Sequence, residues 1–208
     1  MSIIDKAKLL IKSEDVTEGS KNLLEDLVAA LTGDPLSLAK VFISGKNMAL
    51  SINQMIFFEH FTMILSGAFC SEEDARRFSE RLDEDGNKQD NAKRIIKIID
   101  GIDSENKAKY IINLTRSFLS NFLSVEEYLR LCSIIRYTFE SDLLFLVNKI
   151  EMDDLELTEN TVSLANQGLM YISTIGDTVG YSFLPIAKKL DMFGLSYGNE
   201  ERYKYNSI

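Results

Sequence analysis

The chain holds a single histidine, His60, and that limits its chemistry at once. A Ser-His-Asp or Cys-His arrangement would have to use His60, because the nucleophile needs a base near neutral pH within hydrogen-bond reach. His60 sits in an apolar stretch beside Glu59. Neighbours on a helix stand about 100° apart around the axis, so the two side chains point to different sides. An enzyme built on a buried Glu59 and His60 is one reading of the chain. No G-x-S-x-G elbow accompanies it. Adjacent acids such as Glu72-Glu73 and Asp153-Asp154 read as solvated faces rather than acid–base pairs, and no catalytic set is expected.

Metal and phosphate chemistry are equally sparse. Zinc sites draw several His or Cys ligands from short spacings. Only His60, Cys70 and Cys132 are on offer, far apart in sequence. His60 reads instead as a core histidine paired with a carboxylate or carbonyl. Asp83, Asp85 and Asn87 imitate the start of a calcium loop, but the required glycine would fall on Lys88 and the bidentate glutamate on Arg94. Neither G-x-x-x-x-G-K-[ST] nor G-x-G-x-x-G occurs, so no loop offers clustered amides to a phosphate. No cofactor and no metal is expected.

Composition points to a folded, helical protein. The 208 residues are 45% hydrophobic, which is enough for a packed core. Only 2 Pro and 11 Gly interrupt the chain, which favours long helices. The net charge of -9 is the opposite of what phosphate neutralisation needs, so it disfavours nucleic acid and favours a protein partner. The first residues, MSIIDKAKLLIKSED, lack the n-region, apolar run and cleavage site of a secretory signal, and two cysteines make no disulfide framework. A cytoplasmic setting is expected. Met48 to Phe69 is nearly long enough to span a bilayer, but Asn53, Gln54, Glu59 and His60 lie inside it. A carboxylate there costs about 2.5–3.5 kcal/mol on insertion scales. The stretch reads as a buried bundle helix, with no membrane involvement.

Periodicity and caps place the elements. Apolar stripes predict helices over Ile3–Ile11 and Glu18–Leu31, the second ended by Gly33-Asp34-Pro35. Pro35 opens a short helix to Ile43. Ser71 caps a polar, exposed helix to about Leu82, and Asp83–Asn87 is a loop. A helical hairpin follows, with one stripe at Ala92, Ile95, Ile96, Ile98 and Ile99 and a second from Ala108 to Leu119. Asp103 or Ser104 caps its second helix. Ser124 and Glu127 form a capping box. Another helix runs from Ser141 to Ile150, and the acidic Met152–Glu156 is a candidate boundary. The polar tail after Leu195 is expected to fray.

The segment from Thr158 to about Leu195 reads as a capped helix, two short strands around Gly176-Asp177, and a short helix after Pro185. That order resembles a winged-helix module. The helical body, from Asn106 through the Asp142–Leu146 run, resembles uncharacterised helical proteins of bacteria and phages. The expected fold is therefore mainly α: a multi-helix bundle over residues 1–151 and a small winged-helix-like α+β module with one β-hairpin over 152–208. The resemblance implies an interaction surface at Asn160, Ser163, Asn166, Gln167, Asp177, Lys188 and Lys189. In a DNA-binding regulator, that helix reads base edges. Here it has no Lys or Arg, and from Glu151 onward nine acids face four bases. The leading expectation is a non-enzymatic regulatory or interaction protein, such as a phage or mobile-element accessory factor or inhibitor acting on a partner protein. The helical stripes also allow a homodimer.

Overall fold

The computed structural model describes residues 23–47, 52–175 and 178–198. The stripe at Ile3–Ile11, residues 18–22 of the next helix, the Gly176-Asp177 turn and the tail from residue 199 lie outside them. Ten helices and one small antiparallel hairpin make up the described residues, so the fold is mainly α. They are α1 Leu23–Leu31, α2 Pro35–Asn47, α3 Ile52–Ala68, α4 Glu72–Arg81, α5 Lys88–Asp100, α6 Glu105–Leu119, α7 Val125–Tyr137, α8 Glu140–Lys149, α9 Glu159–Asn166 and α10 Pro185–Leu190. Strands β1 Met170–Ile175 and β2 Thr178–Phe183 fall between α9 and α10. The chain divides into two compact units, residues 1–132 and 133–208, with the division inside α7.

The first unit is built around α6. Much of this helix is buried, including Ala108, Ile111, Leu114, Thr115 and Phe118, and a polar stripe at Glu105, Lys109 and Arg116 faces solvent. It packs against α3 and α4, while α1 packs against α2 and α5. Gly67 of α3 lets the two helices approach closely. A Cβ there would stand 2.6 Å from Cδ1 of Ile112 and 3.1 Å from its Cγ1. Arg116 of α6 donates from Nη2 and Nε to the Gly67 carbonyl at 2.6 and 3.0 Å.

Local chemistry sets the boundaries. Gly33, at φ +99°, adopts the left-handed turn after α1, and Asp34 then accepts from the Leu36 and Ser37 amides to open α2. Ser71 and Asp74 form a reciprocal capping box at α4, as do Ser124 and Glu127 at α7. Ser104, not Asp103, caps α6 by accepting from the Lys107 amide.

Two sequence readings need correction. The helix after Ser71 is not merely polar and exposed. Its Ala75, Phe78 and Ser79 are buried, because three apolar or small residues at helical spacing suffice to dock one face. Helix α3 is not buried along its length either. Phe57, His60, Phe61, Ile64 and Leu65 face the core, whereas Ile52, Met55 and Ile56 are exposed. No described helix is long and apolar enough to cross a membrane.

In the second unit α9 packs on α8 and on β1. The hairpin register pairs Met170 with Phe183, Ile172 with Tyr181 and Thr174 with Val179. The acidic stretch Met152–Glu156 belongs to this unit, and Leu155 makes a bridge to Tyr181 with both backbone bonds at 2.9 Å. Residues Asp191–Leu195 wind one wide turn, in which the Ser196 amide donates to the Asp191 carbonyl at 2.8 Å.

The α3–α6 crossing is directly testable. Gly67→Ala should lower the unfolding free energy by about 1–3 kcal/mol, the range for an overpacked contact. In an Ile112→Ala background, which removes the atoms the new methyl meets, the same Gly67→Ala change should cost less in chemical denaturation.

Candidate interaction surface

Among the residues with catalytic potential, Glu59 and His60 separate as helical geometry requires. His60 is buried and Glu59 is exposed, so the reading of a buried Glu59/His60 pair is corrected. Nδ1 of the buried His60 meets no hydrogen-bonding group. No group of three or more His, Cys, Asp or Glu side chains converges on a metal position among the described residues.

The other reactive side chains are locked in structure. Tyr128 is buried, its ring stacked on Phe118 at 4.7 Å and edge-on to Phe78 at 6.0 Å. Its hydroxyl lies 3.0 Å from that of Thr115. Burial pushes the Tyr128 phenol well above its usual range, and burial likewise pushes the Cys132 thiol up. A thiol held protonated is a poor nucleophile and a poor metal ligand. Arg81 lies 4.1 Å over the Phe118 ring and donates to the Leu123 carbonyl at 3.0 Å. Arg77 does the same to the Leu119 carbonyl at 2.7 Å. Arg77 at the last carbonyl of α6 stabilises that helix end, and Arg81 ties down the segment that leads to α7, so both arginines have a structural task.

The predicted interaction residues lie in the second unit and divide by role. Asn160 and Ser163 are committed inward: Asn160 Nδ2 donates to Asp142 Oδ1 at 2.7 Å, and Ser163 Oγ donates to Oδ2 at 2.6 Å. Asp142 is a buried carboxylate on α8, and these two bonds hold α9 against it. Sequence reading missed Asp142 because an acid in the first turn of a helix is ordinary there. Only the i, i+3 spacing of Asn160 and Ser163 hinted at a shared target. Asn166 is exposed and Gln167 half-buried. Together with Leu157, Thr158, Glu159, Val162 and Ser163 they line an open depression of about 730 Å³. Lys188 and Lys189 are exposed on α10, and Asp177 lies outside the described residues.

The hairpin itself carries an apolar surface that sequence reading did not single out. Met170, Tyr181 and Phe183 are buried at its base. On the same face Ile172, paired with the buried Tyr181, is 59% exposed, and Val179, nearer the turn, is 51% exposed. Tyr171, on the opposite face, is 50% exposed. The strict alternation of a strand hides this pattern in sequence, since it predicts which face an apolar residue takes and not how far the covering layer extends.

No protein-family model, no curated protein and no solved structure matches the chain.

Two expectations follow. In the folded protein one thiol, Cys70, should react promptly with a disulfide reagent, and Cys132 should react only as the chain unfolds. Asp142→Ala should destabilise the protein by about 1–3 kcal/mol, the range for stranding buried partners. A double-mutant cycle with Ser163→Ala should show a coupling energy well above experimental error.

Proposed function

We propose that this chain is a non-enzymatic interaction protein that contacts a partner protein through its C-terminal hairpin. The observation that carries the reading is the exposed apolar surface of that hairpin. It presents Tyr171, Ile172 and Val179 to solvent, with no Lys or Arg on either strand. Large apolar side chains held at the end of a hydrogen-bonded scaffold are what a protein interface anchors on. The acidity of the chain suits a basic protein surface better than a phosphate backbone. Regulation or inhibition of the partner would follow from occupying that surface.

A second reading, a winged-helix DNA-binding regulator, draws on the order α9, β1, β2, α10 and on the exposed Lys188 and Lys189. Its physical basis is thinner. Of Asn160, Ser163, Asn166 and Gln167, the side chains available for base edges, the first two are bound to Asp142, and α9 has no cation for phosphates.

The two readings separate in one pair of measurements. Affinity capture from source-cell lysate with the purified chain should retain a protein that the Ile172→Lys, Val179→Lys variant fails to retain. Titration of labelled duplex DNA at low salt should show no binding. Salt-sensitive DNA binding abolished by Lys188→Glu, Lys189→Glu would instead support the regulator.

A further inference from the structure

The free edge of β1 offers more than apolar side chains. Tyr181 of β2 directs both its N–H and its C=O to Leu155, at 2.9 Å each, on the side away from β1. In an antiparallel pair, a residue that turns its backbone groups outward faces a residue that does the same. Ile172 stands opposite Tyr181, so its N–H and C=O point out from the free edge of β1, and Thr174, two residues on, repeats this. No other described strand pairs with that edge. The strand reads Met-Tyr-Ile-Ser-Thr-Ile, without charge or proline. Those are the features with which proteins ordinarily guard an open edge.

The two faces beside this edge differ in chemistry. On one, Ile172 and Val179 are exposed. On the other, the exposed Asp154 sits over the sheet. Its Oδ1 accepts from Ser173 Oγ at 2.9 Å, and its amide donates to Ser182 Oγ at 3.3 Å. Asp154 holds φ +53°, and Gly180 makes room for it: a Cβ at Gly180 would stand 3.1 Å from the Asp154 Cα. Tyr171 shares that acidic face, since it pairs with Ser182.

The geometry points to strand addition: an extended segment of a partner protein, with cations and β-branched apolar residues in alternation, pairs with the β1 edge at Ile172 and Thr174. Directly opposed residues on neighbouring strands have Cβ atoms about 4.5–5.5 Å apart, so a lysine opposite Ser173 reaches Asp154. A cation one pair along meets the Tyr171 ring. The intervening apolar residues cover Ile172 and extend toward Val179. A second copy of this chain fits less well, because it would bring its own Asp154 to the acidic face. This inference rests on the hairpin being the interaction surface and adds the mode of binding and the partner's chemistry.

The test uses the full chain and a synthetic probe, acetyl-Lys-Val-Lys-Val-Lys-Val-amide, followed by amide NMR. Binding should shift the Ile172 and Thr174 amides and slow their hydrogen exchange. The Glu-for-Lys peptide should bind more weakly. Asp154→Asn tolerates the same backbone and keeps an acceptor for Ser173, so it should weaken the lysine peptide about two- to five-fold, the size of an exposed ion pair. Ile172→Pro removes an outward N–H and no ladder bond, and should abolish binding. Thr174→Pro, which removes the next outward N–H, serves if that variant does not fold. Unmoved edge amides, equal binding of both peptides, or edge amides already protected by self-association would each overturn the inference. If lysate capture still depends on Ile172 and Val179 while the peptides leave the edge untouched, strand addition fails and the interaction surface stands.

Discussion

The constraint on which the first unit depends is the burial of Tyr128 in a wholly packed site. A tyrosine there must stack its ring and satisfy its hydroxyl at once. Phe118 and Phe78 supply the ring contacts, and Thr115 supplies the polar one, itself bonded to the Ile111 carbonyl at 2.8 Å. Three of these four residues lie on α4 or α6, so the packing of one side chain fixes the approach of α7 to both. Phe69 at the end of α3 extends the cluster through Phe78 at 5.1 Å. Arg81 then caps the assembly with its guanidinium over Phe118. A position this constrained is also chemically quiet. The burial that holds the helices together also pushes up the phenol and the neighbouring Cys132 thiol, so both stay protonated.

Much of the helical order was legible because it is encoded locally. Ser71, Ser124 and Thr158 mark helix starts by side chains that bond amides three residues on, and no tertiary information is needed to see them. Gly33-Asp34-Pro35 is legible for the same reason. The hairpin was legible from β-branched and aromatic residues on either side of a turn. What sequence could not supply is who covers whom. Phe78 sits in a helix whose composition is dominated by charge, and a single aromatic in ten residues does not announce that it joins a cluster. Ile52, Met55 and Ile56 look like core by composition, yet exposure depends on where the packing partners end.

The interaction residues show the same limit more sharply. Asn160 and Ser163 have the right types for reading base edges, and type alone assigned them that task. Their hydrogen bonds go to Asp142, a residue in another helix whose burial no periodicity reveals. A polar side chain on a helix face is ambiguous between solvent, ligand and a buried partner, and only the third is settled by geometry. Asn166 and Gln167, one turn farther on, border the open depression instead.

On the proposed reading, binding depends on backbone as much as on side chains. An edge strand with outward N–H and C=O groups carries unmet hydrogen-bonding capacity that water satisfies, and its exposure is tolerable only if aggregation is restrained. Here the restraint is placed beside the edge rather than on it. Asp154, held over the sheet by its left-handed conformation and by the space at Gly180, puts a carboxylate next to Ser173. Two identical edges would bring two such carboxylates together, while a strand bearing a cation would find its counter-charge already positioned. On the proposed strand-addition reading this one residue would disfavour self-pairing and select the partner, which joins the acidic stretch between α8 and α9 to the hairpin as one surface.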